Sequence, residues 1–199
     1  MSDPSPLIGE PPALDLVNTR PVGADLLSTP DDLRVWLRLQ ADRSEEARTF
    51  AATEPAAESL AESLAAVRDV REHTARALDR VRRGEPPSAG DLEALNRAQR
   101  AAPAVTELDW DGRSLRAARR RTGPPSLRPA AWLAEAAAEL LADPAVTKVR
   151  ECEADDCVML FLPAHPRRRW CSAARCGNRV RVARHYRRHR PAEPDPASS

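Results

Sequence analysis

The chain has 199 residues, 42% of them hydrophobic and 31% charged, with a formal net charge of +1. That length allows one ordinary globular domain and a small appendage but not two full-sized domains, and the composition is that of a folded chain, not a disordered one. No apolar run reaches the roughly 18 residues of a membrane span, and Met1-Ser2-Asp3-Pro4 lacks the basic and apolar regions of a secretory leader, so a cytoplasmic protein without membrane association is expected.

Pro4, Pro6, Pro11 and Pro12 predict an extended start, followed by the compact segment Leu14-Asp15-Leu16-Val17-Asn18-Thr19-Arg20, whose local form the residues leave open. Thr29-Pro30-Asp31-Asp32 predicts a helix start, because a side-chain acceptor, a pre-set φ and two carboxylates all complement exposed N–H groups. Leu33, Trp36, Leu37 and Gln40 continue it at helical spacing. Leu60, Leu64, Val67, Arg71, Thr74, Leu78 and Val81 recur at three or four, which predicts a long helix over 55–83 that Gly84 ends. After Glu85-Pro86-Pro87, Ser88 caps a shorter helix carrying Leu92 and Leu95. Asp111-Gly112 between Trp110 and Leu115 predicts a hairpin of two short strands. Pro124, Pro125 and Pro129 lead into a helix over 129–142 with Trp132, Leu133, Ala136 and Leu140 on its buried side, and Asp143-Pro144 stops it. The tail over 191–199 is expected to be mobile.

All four cysteines fall within one segment, as Cys152-x4-Cys157-x13-Cys171-x4-Cys176. Two close pairs separated by a loop suit tetrahedral zinc, since each pair forms a tight knuckle and the loop folds back to join them. Four thiolates saturate the ion, so such a site is structural. Val158 to Leu162 is read as a strand, Arg169-Trp170 as its returning partner, and the segment from Ser172 as a helix carrying Cys176 in its first turns. Phe161 and Trp170 are expected to cover the metal. Disulfides, an iron site, a thiol redox switch and ligation by His185 and His189 are the competing uses of these residues.

The same segment carries an unusual charge. Residues 1–149 hold 20 Lys or Arg against 24 acids, whereas 150–190 hold 11 Arg against 4 acids, a net of +7. Such a concentration is the footprint of a polyanion binder. The candidate phosphate contacts are Arg181, Arg184, Arg187 and Arg188 on the helix and Arg167, Arg168 and Arg169 in the turn before Cys171. Asn178 and Arg179 have an equal claim to a structural role beside the metal. Glu153, Asp155 and Asp156 are expected to face away from nucleic acid.

Arg169-Trp170-Cys171-Ser172 followed by Cys176-Gly177-Asn178-Arg179 resembles the signature of the CGNR zinc finger family, and Leu14-Asp15-Leu16-Val17-Asn18-Thr19 resembles the N-terminal motif of the ABATE domain that precedes this finger in many bacterial proteins. The resemblance implies a stress-related transcriptional regulator with one structural Zn2+ on Cys152, Cys157, Cys171 and Cys176 and with DNA as its partner. The fold expected is mainly α (α+β): a helical N-terminal domain over 1–145 with a short β-hairpin, then a treble-clef-like finger over 146–190 made of a β-hairpin and a C-terminal helix. The helical domain could sense a small-molecule effector, near Asn18, Arg20, Trp36 or Trp132, or serve a homodimer. The alternative is a zinc-stabilised protein-interaction or RNA-binding module. No phosphate loop or nucleophile elbow occurs, and His73 stands mid-helix without an obvious partner, so an enzyme is not expected.

Overall fold

A computed structural model describes residues 9–53 and 56–189, without the side chains of 184 and 187–189. Pro4, Pro6, Pro55, Arg190 and the 191–199 tail lie outside those residues. Seven helices are assigned among them: α1 Pro12–Val17, α2 Pro30–Gln40, α3 Glu45–Ala52, α4 Ala57–Arg82, α5 Ala89–Ala101, α6 Arg128–Ala142 and α7 Asn178–His189. Two antiparallel pairs accompany them, β1 Ala104–Trp110 with β2 Leu115–Arg121, and β3 Arg150–Glu151 with β4 Leu160–Phe161.

The spine is α4, which at about 1.5 Å per residue runs some seven turns and packs against α1, α2, α5 and α6. Its stripe of Leu60, Leu64, Val67, Val70 and Leu78 meets Trp36 and Leu37 of α2, Leu95 of α5 and Leu133 and Ala137 of α6 in one core. Local chemistry agrees with this assembly. Thr29 and Asp32 form a capping box at the start of α2, and Ser88 accepts from the Asp91 N–H to open α5. The proline-rich segment did not reveal α1, which uses Pro12 at its first turn, where a missing N–H costs nothing. Sequence reading also passed over α3, capped by Ser44 and too short for its period to stand out.

Buried polar residues fix the loops onto this core. Arg71, on the buried face of α4, gives a bidentate pair to Asp25 at 2.7 and 2.6 Å and a third hydrogen bond to the Thr19 hydroxyl at 3.0 Å. Arg68 donates to the Leu27 and Ser28 carbonyls. His73 is not partnerless, as its spacing suggested: its Nδ1 lies 2.8 Å from the Asp91 carboxylate, which Arg76 also contacts. Only the packing of α4 on α5 brings that acid near.

The β1–β2 hairpin projects from the bundle with strands of seven residues each, longer than its turn residues implied. Asp111 accepts from the Arg113 and Ser114 N–H groups while Gly112 takes a φ of 91°. At its base, the buried Arg121 guanidinium sits between Glu46 and Glu135. Gly123 follows at a φ of 84°, and a Cβ there would meet the Ala101 carbonyl at 2.5 Å. Any other residue would push the hairpin off α5.

The Asp25 carboxyl is held down to about 2 by its hydrogen bonds from Arg71, against a desolvation that raises it. A depressed carboxyl contributes stability in full above its unfolded value near 4 and loses it as pH falls toward 2. Asp25→Asn should therefore cost about 1–3 kcal/mol at pH 7, measured by urea unfolding. The gap to the parent protein should close between pH 4 and pH 2.

Candidate metal centre

The cysteine segment folds as a knuckle inside a hairpin. Cys152 directly follows β3, the Cys157 N–H donates to the Ala154 carbonyl at 3.0 Å to close the turn, and Met159 then accepts from the Cys152 N–H at 2.9 Å. This corrects the expected pairing of Val158–Leu162 with Arg169-Trp170. β4 instead pairs with β3, in the register Arg150↔Phe161 and Glu151↔Leu160. The reason lies on the other edge of β4. Leu160 exchanges two hydrogen bonds of 2.8 Å with the Asn18 side-chain amide, and the Leu162 N–H donates to Glu10 Oε2 at 2.8 Å. With that edge occupied by the helical domain, the returning segment makes one backbone–backbone hydrogen bond to the hairpin among the described residues, from the Glu153 N–H to the Arg169 carbonyl at 3.1 Å.

Period-two alternation divides the β4 side chains between two cores. Leu160 joins the helical core with Val146 and Val149, and Leu162 packs beside it. Phe161, fully buried, joins the four cysteines with Met159, Trp170 and Val180. Phe161 and Trp170 therefore cover the cysteines as their spacing implied. After Cys171, Ser172 accepts from the Arg175 N–H and the chain makes one π turn, Ala173–Gly177, before α7 begins. A Cβ on Gly177 would stand 3.4 Å from the Trp170 ring, so glycine lets the indole lie over the turn that presents Cys176.

All four Sγ atoms lie within 4.8 Å of one another, with Cys157 to Cys171 at 3.8 Å and Cys171 to Cys176 at 3.6 Å. Four thiolates each about 2.3 Å from a tetrahedral zinc would be about 3.8 Å apart, so the cluster already has the size the ion requires. None of the cysteines is in a disulfide. Electrostatics supports the same reading. Burial, then the neighbouring thiols, push Cys157 up to about 11 and raise Cys171 as well. Burial also opposes ionisation of Cys152, but N–H groups of Cys171 and Ala154 and the nearby thiols outweigh it and lower that residue. Closely packed sulfurs cannot share negative charge without a cation among them, and a bound dication reverses that penalty. Cys152, Cys157, Cys171 and Cys176 would hold the metal, which supplies a rigid crosslink and no open coordination position. His185 is exposed on α7, outside the cysteine cluster.

Two family models match the chain. Residues 10–144 match ABATE, described as "Putative stress-induced transcription regulator", and residues 148–189 match the CGNR zinc finger. The chain belongs to the ABATE family and carries a CGNR zinc finger. No individual curated protein matches its sequence. In this ABATE protein no described helix is long and apolar enough to cross a membrane.

The finger's arginines divide into distinct environments. Arg168 is committed to the protein: it donates to Glu10 Oε1 at 2.6 Å, to the Trp170 and Cys171 carbonyls at 3.1 and 2.5 Å, and lies 4.5 Å above the Phe161 ring. It clips the finger to the helical domain. Arg169 pairs with Glu153, so that acid does not stand apart from the basic turn as expected. Arg167 and Arg181 are exposed, while the side chains of Arg184, Arg187 and Arg188 lie outside the described residues. Arg179 donates to the Cys176 sulfur at 3.7 Å, a contact that favours the thiolate. Val180 packs from α7 against the cysteine cluster, whereas Ala183 on the same helix is exposed. Sequence reading missed Glu10 and the role of Asn18, because neither faces the finger until the chain is folded.

Purified protein should contain about one zinc per chain by elemental analysis, and Cys157→Ser should lower that content sharply. Asn18→Ala strands a buried N–H and a buried C=O of Leu160 and should cost about 2–4 kcal/mol in chemical denaturation. Its zinc content should stay near the parent value, which separates the seam from the metal.

Proposed function

We propose that this protein is a zinc-dependent DNA-binding transcription regulator in which the finger grips phosphates and the helical domain senses an effector or pairs two copies. The observation that carries the reading is the placement of charge. The net +7 of residues 150–190 includes the arginines of a helix that directly follows the turn carrying Cys176 and whose described side chains at 181–183, 185 and 186 are exposed. A helix anchored at one end and studded with guanidinium forks suits a major groove bordered by phosphates. Arg167, Arg169, Arg181, Arg184, Arg187 and Arg188 are the proposed contacts. Arg168 is left out, since its guanidinium already serves Glu10 and two carbonyls.

A second reading rests on Tyr186, which is 72% exposed at the end of the described α7 side chains. An exposed ring beside arginines suits stacking on an unpaired base, so single-stranded RNA is the rival ligand.

Fluorescence anisotropy across salt concentrations tests the first reading. Log K against log salt should fall with a slope of several units, each phosphate contact adding about 0.9 on duplex DNA. Arg181→Ala should flatten the slope by about one unit. A slope near zero rejects phosphate-driven binding. Stronger competition by single-stranded RNA than by duplex favours the second reading, and equal displacement by heparin rejects both as specific functions.

A further inference from the structure

The β1–β2 arm exposes an apolar face. Alternation puts Leu108 and Trp110 of β1 and Leu115 and Ala117 of β2 on that face, and the register sets Trp110 beside Leu115 and Leu108 beside Ala117. Leu108 is 74% exposed, Trp110 60% and Leu115 68%. Together they present on the order of 400 Å2 of apolar surface, the size of patch that marks interaction sites on folded proteins. On the opposite face Arg120 pairs with Glu107 at 3.1 Å and Arg116 reaches Asp111 at 2.5 Å, so that face suits water. Two strands that pack chiefly on each other are marginal in water, and a covered apolar face would steady them.

The same face turns toward the bundle at the base of the arm. Arg119, four residues after Leu115 on that face, reaches Glu135 of α6 at 2.7 Å and lines a cavity of about 290 Å3 together with Trp132, Leu140, Glu139 and Asp143. An apolar knob at the tip and a hollow at the base therefore lie on one side of the molecule, ~13 Å apart along the strand. That arrangement is self-complementary. A second copy turned about a two-fold axis across the strands lays apolar face on apolar face and brings each tip to the other copy's hollow. Charge agrees, since Arg113 at the tip is exposed and so are Glu139 and Asp143 at the rim, and opposite signs meet at both ends. Edge-to-edge pairing is opposed. Joining β1 to β1 sets Glu107 and Asp109 against the same acids, and joining β2 to β2 sets Arg116 and Arg120 against the same arginines. The apolar side chains of two arms supply ~800 Å2, and the rims of two hollows carry the contact toward the ~1,200 Å2 of a specific interface.

We propose that two copies of this chain pair through their β1–β2 arms, face to face and tip to base, with Trp110 and Leu115 of each copy at the hollow beside the other copy's Trp132. The inference names the surface for the paired-copies reading of the helical domain and rests on that reading, not on DNA contact.

The test is sedimentation velocity of the full-length, zinc-loaded protein without DNA, so a failed DNA assay leaves its outcome intact. The protein should sediment as a dimer whose dissociation constant lies in the micromolar range. Trp110→Ser should raise that constant about tenfold at unchanged zinc content and circular dichroism, whereas Val105→Ser on the charged face should leave it unchanged. Arg113→Glu and Glu139→Arg should each weaken the dimer, and the two together should restore it. If Trp110→Ser does not fold, that rescue decides alone, because it leaves the packing of the arm intact. A dimer indifferent to Trp110→Ser, or charge reversals that fail to rescue each other, overturns this surface and keeps the pairing of copies. A chain that stays monomeric at about 100 μM overturns both, including one whose tryptophan emission shifts on phosphatidylglycerol vesicles instead.

Discussion

A strand of two residues joins the two halves of this protein, and its backbone is used on both edges. Met159 and Phe161 belong to the hairpin with β3, while Leu160 and Leu162 bind Asn18 and Glu10 of the helical domain. The side chains follow the same alternation, Leu160 toward the helical core and Phe161 toward the cysteines. Slipping this strand by one residue would place Phe161 in the wrong core and exchange the edges of every backbone group. The register of four residues therefore fixes how the finger sits on the helices.

The metal and the seam support each other through that strand. The finger has few apolar residues of its own, and its largest, Phe161 and Trp170, lie against the thiolate cluster. Binding of the ion supplies the order that burial alone does not. Arg168 extends the connection, reaching from the carbonyl of the ligand Cys171 to the buried carboxylate of Glu10. Glu10 is in turn set by Arg43, which donates to its carbonyl, and by the buried Asp15, which accepts from its N–H. The apolar motif around Asp15 to Asn18 is thus the receptor for the finger, a role that its hydrophobic spacing alone does not express.

The site's chemistry follows from this arrangement. Saturated thiolate coordination would make the metal a rigid crosslink, and the basic helix begins directly after the turn that carries Cys176. Net charge of +1 over the whole chain conceals a division of sign, because the acids of the helical domain offset the arginines of the finger. At the finger the same offset is local: Glu153 lies against Arg169, and Glu10 of the helical domain against Arg168.

The amino-acid sequence was sufficient for the features governed by neighbouring residues. The caps at Thr29 and Ser88, the period of α4, the turn at Asp111-Gly112 and the four cysteines are local, because a hydrogen bond to the next turn or a knuckle of six residues needs no distant partner. Pairing across long separations was settled only in three dimensions. The partner of β4, the acid beside His73, the duty of Arg168 and the cavity beside Trp132 each depend on residues brought together by the packing of helices. A guanidinium or a strand edge has the same local appearance whether it meets water, phosphate or another part of its own chain, and the folded core decides which.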